Sequence, residues 1–252
     1  MNTNTETIEL TKNEKKSFDY GYWFGLLLFT HSKYSMVDSY LKDKKAYQFH
    51  VENQWIRTNS QTNESRPILY SDSEGKSFIE SFQEDINEMN KLFANQFIVY
   101  NATLVESLLQ EAFIFVFLQK PQRINYIYEQ MPIEKERLGF CLNEFLEFES
   151  KEVYLQTLCS RAASICIGGK FKDALKRLEK LLKADMNHDH KKTIIELTVK
   201  RNSIVHENKE YEVTDNYFEE IQESLHHLLD FIRDNLKRLG VTVFDPINDY
   251  GL

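Results

Sequence analysis

The segment Arg201–His206, with the sequence RNSIVH, carries the side chains of this chain best suited to chemistry on a phosphate. Arginine stays charged at physiological pH and offers a forked set of donors that fits phosphate oxygens. Histidine titrates near neutral pH and can accept or donate a proton during a reaction. Asn202 lies four residues before His206, about 40° away on a helical wheel, so it can orient the imidazole. The segment predicts a site in which Arg201 stabilises charge and His206 moves a proton.

The full spacing R-N-x-x-x-H is more specific than its Arg and His alone. Nine Arg and seven His in 252 residues give about 0.25 such pairs by chance, and requiring the Asn lowers this to about 0.02. A helical pattern precedes the motif, and another follows a short polar loop. Over about residues 77–239 the chain resembles the HEPN superfamily, whose members carry this motif at the end of their third helix.

The resemblance implies a metal-independent endoribonuclease. In that reaction the 2′-hydroxyl of RNA attacks the neighbouring phosphate and leaves a 2′,3′-cyclic phosphate and a 5′-hydroxyl. Arg201, His206 and Asn202 are then the catalytic residues, and neither a metal nor a cofactor is needed. The resemblance also implies a homodimer whose two motifs share one cleft. Glu106 is a candidate supporting residue that steers Arg201, with an exposed Glu beside a leucine stripe as the structural alternative.

By the same resemblance, the protein is expected to act on RNA as a toxin in a toxin–antitoxin or abortive-infection system, with an antitoxin or sensor protein as a further partner. Two alternatives stay open. One is a non-catalytic HEPN-type binding or scaffold protein that partners another protein or a nucleotide. The other is a helical interaction protein in which the motif is coincidental, since Arg and His near a helix C-terminus are also favoured by the helix dipole.

Charge is distributed unevenly along the chain. The net charge of −8 excludes a general nucleic-acid coat protein. Between Lys170 and Arg201, however, ten basic residues face only five acidic ones. This segment is either a solvated helix face or a surface that attracts phosphates beside the motif. Lys191, Lys192 and Lys200 are the candidate RNA-binding residues within it.

Other features indicate a soluble cytoplasmic protein. The three cysteines show no paired spacing, as expected of a reduced chain. The N-terminal region has no signal-peptide pattern, and the apolar run Trp23–Phe29 is too short to span a bilayer. The triplet His188–His190 resembles a metal-binding fragment, but no further ligand lies nearby in sequence, so an ordinary polar loop is favoured.

Composition and periodicity predict an all-α protein. The chain has only eight Gly and four Pro, which favours long helices over a turn-rich β fold. The predicted organisation is a mobile N-terminus over 1–16, an extension over 17–75, a HEPN-like antiparallel helical bundle over 76–240, and a C-terminal tail over 241–252.

The apolar pattern predicts helices over 17–45, 77–119, 132–148, 151–167, 171–184, 191–205 and 215–239. Residues 47–51 and 55–57 form either a short hairpin or an irregular arm. A break in the long helix is considered near Asn95 or Asn101, and Asp215 is the predicted cap of the final helix. The predicted core includes Leu28, Met36 and Val205, together with the apolar stripes of the long and final helices.

Overall fold

The computed structural model describes residues 17–46, 48–49, 56–67, 73–130, 138–139 and 142–250. Within these residues the protein is all-α, as predicted. The helices are α1 Tyr20–Lys42, α2 Ser73–Gln119, α3 Asn125–Gln130, α4 Leu142–Glu147, α5 Lys151–Ile167, α6 Phe171–Leu182, α7 His188–Glu207, α8 Asp215–Arg238 and α9 Pro246–Tyr250. The predicted N-terminal mobility of 1–16 lies outside the described residues.

Two small pairs of strands accompany the helices. Strand β1 (Phe18–Asp19) pairs in parallel with β4 (Val243–Phe244), and β2 (Ile56–Thr58) pairs antiparallel with β3 (Ser65–Pro67). The suggested pairing of 55–57 with 47–51 is therefore wrong for the described residues Ile56 and Arg57, because their partner strand, β3, comes later in the chain. Asn63 closes the connection in the left-handed conformation, at φ 57°, which Asn tolerates better than most residues. The predicted strand around 47–51 lies mainly outside the described residues, although residues 48–49 are helical.

The described chain forms two compact units made of non-consecutive stretches. Unit 1 takes the residues up to Trp23, Glu106–Met186 and the residues from Leu229 onward, and unit 2 takes Phe24–Val105 and Asn187–Leu228. Helices α1, α2 and α8 each contribute to both units because the divisions fall inside them. The boundaries proposed from sequence at residues 75 and 240 stay a prediction.

Unit 1 is built around the C-terminal part of α2. Its run AFIFVFL is apolar on all sides, which favours burial, and Phe113, Val116 and Phe117 are fully buried. The segment after Gly240 is held in this unit by β4, and a Cβ at Gly21 would lie 2.5 Å from Pro246 Cγ. Gly21, which weakens α1 by propensity, is therefore needed for this close approach.

Unit 2 has an aromatic core. The rings of Tyr34, Phe97 and Phe218 lie within 4.3–4.7 Å of one another, measured between centroids. The predicted core of the final helix is confirmed across both units, because all of its predicted members are buried: Phe218, Ile221, Leu225, Leu228, Leu229 and Ile232. In α1 the predictions for Leu28 and Met36 are wrong, since these side chains are 44% and 68% exposed.

Helix α2 buries part of the predicted stripe, including Ile86, Phe97, Leu104 and Leu108, together with smaller and polar residues next to it. It is continuous from Ser73 to Gln119, so the break considered near two of its Asn residues does not occur. Met89 and Tyr100, both on the predicted stripe, are exposed, whereas Ala94, Ile98 and Asn101 are almost completely buried. The buried face of α2 therefore also contains small and polar residues, and a prediction based on large apolar residues does not find them. Within this helix the side-chain amide of Asn101 donates a hydrogen bond to the Phe97 carbonyl.

Part of α2, Glu80–Gln119, is long and apolar enough to cross a membrane by length and composition. However, 61% of its apolar window is buried inside the protein, which is the pattern of a core helix and is compatible with a soluble protein. A cytoplasmic location stays a prediction.

Candidate functional site

Helix α7 (His188–Glu207) carries the whole RNSIVH segment and is capped firmly at both ends. The Asn187 side chain accepts hydrogen bonds from the amides of Asp189 and His190, at 2.9 and 3.5 Å. At the other end Asn208 adopts the left-handed conformation, with φ 52°, and the Asn208 and Lys209 amides donate to the Ser203 carbonyl. The helix therefore starts three residues earlier and ends two residues later than the periodicity predicts. His206 consequently lies inside the helix and not in the loop.

The helical geometry separates the two principal motif residues within one chain. Arg201 and His206 are five residues apart on a continuous helix, which places them about 140° apart around the axis and about 7.5 Å apart along it. Asn202 precedes His206 by one turn, and both side chains are exposed, whereas Arg201 is partly buried. The structure therefore brings Asn202 and His206 to one exposed face and places Arg201 on another side of the helix.

Apolar side chains lie beside the exposed motif residues. Val199 and Val205 are 56% and 53% exposed, so the prediction of a core position for Val205 is wrong. Val199 lies three residues before Asn202 and seven before His206, which puts all three on neighbouring parts of the helix surface. The end of α7 therefore presents both apolar and polar groups to its surroundings.

A charged pair lies next to His206 at the end of the helix. The Lys209 ammonium lies 2.6 Å from the Glu207 carboxylate. The hydrogen bond from Lys209 lowers the pKa of Glu207 below its usual value, and the positive charge of Lys209 acts in the same direction. Glu207 is therefore ionised at neutral pH, and this end of the helix carries charges of both signs.

Asn95 anchors the loop that follows the motif, and sequence reasoning missed this role. Its side-chain oxygen accepts from the Tyr211 amide and its nitrogen donates to the Tyr211 carbonyl, both at 2.9 Å. The side chain of Asn95 is 2% exposed, and an ion pair of 2.9 Å between Lys91 and Glu210 lies on the same loop. The only signal in the sequence is a polar residue inside an apolar helix, where burial requires hydrogen-bonding partners.

Lys200, predicted as an RNA-binding residue, makes contacts within its own chain. Its ammonium lies 2.9 Å from the Glu196 carboxylate and 3.6 Å from the centre of the Tyr217 ring. Burial alone would lower the pKa of Lys200, but the hydrogen bond to Glu196 and the interaction with Tyr217 outweigh burial and raise it. Of the other two predicted lysines, Lys192 is exposed and Lys191 is partly buried.

Glu106 lies on α2 and is partly buried. It belongs to unit 1, whereas Arg201 and the rest of the motif belong to unit 2. Its suggested role in steering Arg201 stays a prediction.

The triplet His188–His190, the candidate metal-binding fragment, does not form a cluster of ligands. His188 and Asp189 are exposed, while His190 packs against His227, with ring centroids 4.3 Å apart, and its Nδ1 lies 3.1 Å from the Ser224 hydroxyl. In the part of the chain that the structure describes, no group of three or more His, Cys, Asp or Glu side chains is arranged to hold a metal ion.

Neither of the two described cysteines is suited to nucleophilic chemistry. Cys159 and Cys166 are both free and buried. Burial raises the pKa of Cys159 to about 11 and that of Cys166 to about 12, so both thiols remain protonated at neutral pH.

No family model, curated protein or solved structure matches the chain. The fold and the motif define the class of protein only as far as an all-α chain with an Arg–Asn–His helix end. Any statement of its activity therefore depends on the chemistry and placement of these residues.

Proposed function

We propose that the protein is a metal-independent endoribonuclease of the HEPN type. The observation that carries the proposal is the placement of Asn202 and His206, one turn apart on an exposed face at the end of a capped helix. An exposed imidazole is accessible to a large polyanionic substrate and can exchange a proton with it. Arg201, in the same motif, supplies a permanent positive charge suited to a phosphate.

The separation of Arg201 from His206 favours a site made from two copies of the chain. Side chains about 140° apart on one helix do not converge readily on a single phosphate. A symmetric dimer brings Arg201 of one copy towards His206 of the other, because a two-fold axis places the same patch on both sides of the interface. Exposed Val199 and Val205 supply apolar surface for such a contact.

The reaction proceeds without a metal in this proposal. One His206 accepts the proton of the RNA 2′-hydroxyl, whose oxygen then attacks the adjacent phosphorus. Arg201 stabilises the negative charge that develops on the phosphorane oxygens. The P–O5′ bond breaks, the leaving 5′-oxygen takes up a proton from water, and the protonated His206 returns its proton to the solvent. The products are a 2′,3′-cyclic phosphate and a 5′-hydroxyl.

Such an enzyme fits the role of a toxin in a toxin–antitoxin or abortive-infection system, held in check by an antitoxin or triggered by a sensor protein. A second candidate function is a non-catalytic HEPN-type binding protein. It is favoured by the partial burial of Arg201, because an arginine packed into its own chain contributes to the fold and need not touch a phosphate.

Controlled expression in a bacterial host tests the proposal without a guess at the substrate. The strains express the wild type, His206→Ala or His188→Ala, and growth and new RNA 5′ ends are followed. His188 is a matched control because it is exposed and lies 18 residues earlier on the same helix, which is about five full turns and therefore the same face.

The proposal expects growth arrest and new 5′-hydroxyl RNA ends with the wild type and with His188→Ala, and neither effect with His206→Ala. Equal RNA cleavage with His206→Ala would overturn it. Soluble wild-type protein that leaves growth and RNA unchanged would favour the binding protein.

A further inference from the structure

Helix α1 (Tyr20–Lys42) carries apolar side chains on two opposite sides. Leu27 and Tyr34 form the inner side, where they are 2% and 7% exposed. Phe29, Met36 and Tyr40 form the outer side, where they are 63%, 68% and 64% exposed. The two sets lie about 150° apart around the helix axis, so a single packed surface does not bury both of them. The core of unit 2 therefore accounts for the inner side only.

The outer side alternates large and small residues with a seven-residue repeat. The large residues Phe29 and Met36 are seven positions apart, and the small residues Gly25 and Ser32 are also seven positions apart. These four residues, which we call the outer stripe, follow one another in steps of four, three and four positions. They therefore fall within about 60° around the axis. Such a repeat keeps one side of a helix against a neighbouring helix.

Gly25 is not required by the packing of its own chain. It lies inside α1, where glycine is less favourable than alanine. Among the described residues, a Cβ at Gly25 would meet only the Phe29 ring, at 3.9 Å, which is an ordinary van der Waals distance. Gly21 on the same helix differs, because a Cβ there would lie 2.5 Å from Pro246 Cγ. A glycine that its own chain does not need fits a position where another backbone comes close.

Formal charge is almost absent around the outer stripe. Among the 18 residues from Tyr20 to Val37 only Lys33 is charged, whereas 28% of the whole chain is charged. A helix face that is only solvated is typically rich in charged residues, and the centre of a protein interface is depleted of them. The outer stripe therefore has the composition of a contact surface.

We propose that the outer stripe binds the outer stripe of a second copy of this chain, with the two α1 helices antiparallel. A two-fold axis that passes between positions 30 and 31 places Phe29 opposite Ser32 of the other copy. The same axis places Met36 opposite Gly25, so each of the four layers joins a large residue to a small one. Parallel helices in register would instead place large residues against each other. The alternation therefore favours the antiparallel pair.

The charge and the area of this surface also fit a second copy. In the antiparallel pair Lys33 lies opposite Leu28 of the other copy, so the two lysines are offset by about 7.5 Å along the axis. With about 200 Å² for each large side chain, the exposed parts of Leu28, Phe29, Met36 and Tyr40 amount to roughly 480 Å² per copy. Two copies bury about 1,000 Å², near the lower limit of specific interfaces. The association is therefore expected to be reversible and to depend on concentration.

The outer stripe belongs to α1 and is independent of the proposed nuclease site on α7. The contact between copies at that site uses Val199 and Val205 of α7. A chain that makes two different two-fold contacts forms assemblies larger than a dimer. Each contact can therefore be removed while the other is kept.

Sedimentation velocity at increasing protein concentration measures the α1 contact by itself in the full chain that carries Val199→Asp, which places a charge in the α7 contact. Gly25→Leu, added to this protein, fills the small position and blocks Met36 of the other copy. A swap variant combines Gly25→Leu with Met36→Ala, so that the same layers again join a large residue to a small one. The control, Ser160→Leu, adds a leucine at an exposed helical position of unit 1. Unfolding midpoints verify that all variants are folded.

The proposal expects the Val199→Asp protein to dimerise reversibly, and it expects Gly25→Leu to weaken the dimer by about 10-fold or more, because overpacking prevents the close approach. The swap variant recovers the affinity, and the control keeps it. Leucine favours a helix more than glycine does, so Gly25→Leu does not lower the unfolding midpoint of the monomer.

A Val199→Asp protein that stays monomeric at every concentration would overturn the proposal. An unchanged affinity in Gly25→Leu, or a swap variant without recovery, would do the same. So would a protein that binds phosphatidylserine vesicles but does not dimerise, because the outer stripe would then be a membrane surface. No RNA is present in these measurements, so their outcome is separate from the test of the nuclease.

Discussion

Helices α6 (Phe171–Leu182) and α7 (His188–Glu207) follow each other in the chain but use their residues in opposite ways. In α6 the leucines are buried and the lysines are exposed, as the hydrophobic effect requires of an amphipathic helix. In α7 the polar Thr198 is buried, while Val199 and Val205 are exposed beside His206. The apolar side chains of α6 thus pack inside their own unit. The exposed valines of α7 have no such packing to explain why they are apolar.

The difference shows where to expect function. A helix whose pattern is explained by its own core gives little information beyond the fold. A helix that exposes apolar groups next to Asn202 and His206 maintains a surface that folding alone does not require. Matched substitutions in the two helices test this distinction.

The largest expected effect is on catalysis by α7. In the proposed enzyme Arg201→Lys keeps the charge but loses the planar fork, so cleavage of RNA is expected to fall by about 100-fold or more. The matched change in α6, Lys176→Arg, keeps a cation on an exposed surface and leaves cleavage unchanged. Initial cleavage rates of the two purified variants measure the difference. A full rate in Arg201→Lys would show that the motif arginine does not act on a phosphate.

The second effect concerns stability. Leu178→Ala removes a fully buried side chain from α6 and is expected to lower the free energy of unfolding by about 2–5 kcal/mol. Val199→Ala in α7 removes a side chain that is 56% exposed and is expected to change it by less than about 0.5 kcal/mol. Denaturant unfolding at a protein concentration that favours the monomer compares them. Equal decreases in the free energy of unfolding would contradict the conclusion that Leu178 belongs to the core and Val199 does not.

The third effect concerns the loop after α7. Asn95→Ala removes two hydrogen bonds to the Tyr211 backbone and leaves those buried groups unpaired, at a cost of about 1–3 kcal/mol. For a chain of this size the unfolding temperature should drop by about 2–4 °C per kcal/mol. Asn143→Ala, at an exposed position, is the control. An unchanged unfolding temperature in Asn95→Ala would show that the loop is held by other contacts.

The smallest effect is a dependence on pH confined to the unit that contains α6. Asp245 is fully buried and binds Lys237 and Asn248, each at 2.8 Å. Burial alone would raise the pKa of Asp245, but these hydrogen bonds outweigh it and lower the pKa below its usual value. Its stabilising contribution is therefore present above the unfolded pKa of about 3.9 and is lost as pH falls through the folded value.

Asp245→Asn is accordingly expected to be less stable than the wild type at neutral pH by about 1 kcal/mol. This difference should shrink as the pH falls below about 4, and it should disappear at the lower pH at which the carboxyl of the folded wild type is itself protonated. Urea unfolding across pH measures it, with the neutral anchor Asn95 as the contrast, because Asn95→Ala should cost the same at every pH. A constant difference for Asp245→Asn would contradict the role of its charge.

Local signals in the sequence were sufficient for several elements. Helix α5 begins and ends at the predicted residues. In the structure the Ser150 side chain accepts a hydrogen bond from the Val153 amide and Gly168 ends the helix, and both features depend only on neighbouring residues. The core of α8 followed from its regular apolar spacing. Its cap was predicted at Asp215, but the Tyr217 amide bonds to the Thr214 hydroxyl. Thr214 and Asp215 are adjacent, and both residue types can cap a helix N-terminus, so residue type alone did not show which of them is the cap.

Features that depend on distant contacts could not be predicted. The side-chain amide of Asn95 binds Tyr211, 116 residues away, so the sequence suggested a helix break where the structure has an anchor. The RNSIVH motif was visible from its residue types. The helical position of His206 was not, because it depends on the helix ending at Glu207 and not at Val205. The exposure of Val205 was not visible either, because Val205 is helical in both cases and its burial depends on what packs against that side of the helix. A shift of two residues at a helix end changes the direction of every side chain beyond it.

Mixing two inactive variants tests the central claim, that Arg201 of one copy acts with His206 of another. Arg201→Ala and His206→Ala are purified separately, mixed under conditions that exchange subunits, and assayed for RNA cleavage. A mixture of wild type with the double variant is the control, because its mixed dimers carry both residues on one chain. The account predicts that two inactive proteins regain activity on mixing. Cleavage that stays at the level of the single variants, despite demonstrated subunit exchange, would contradict it.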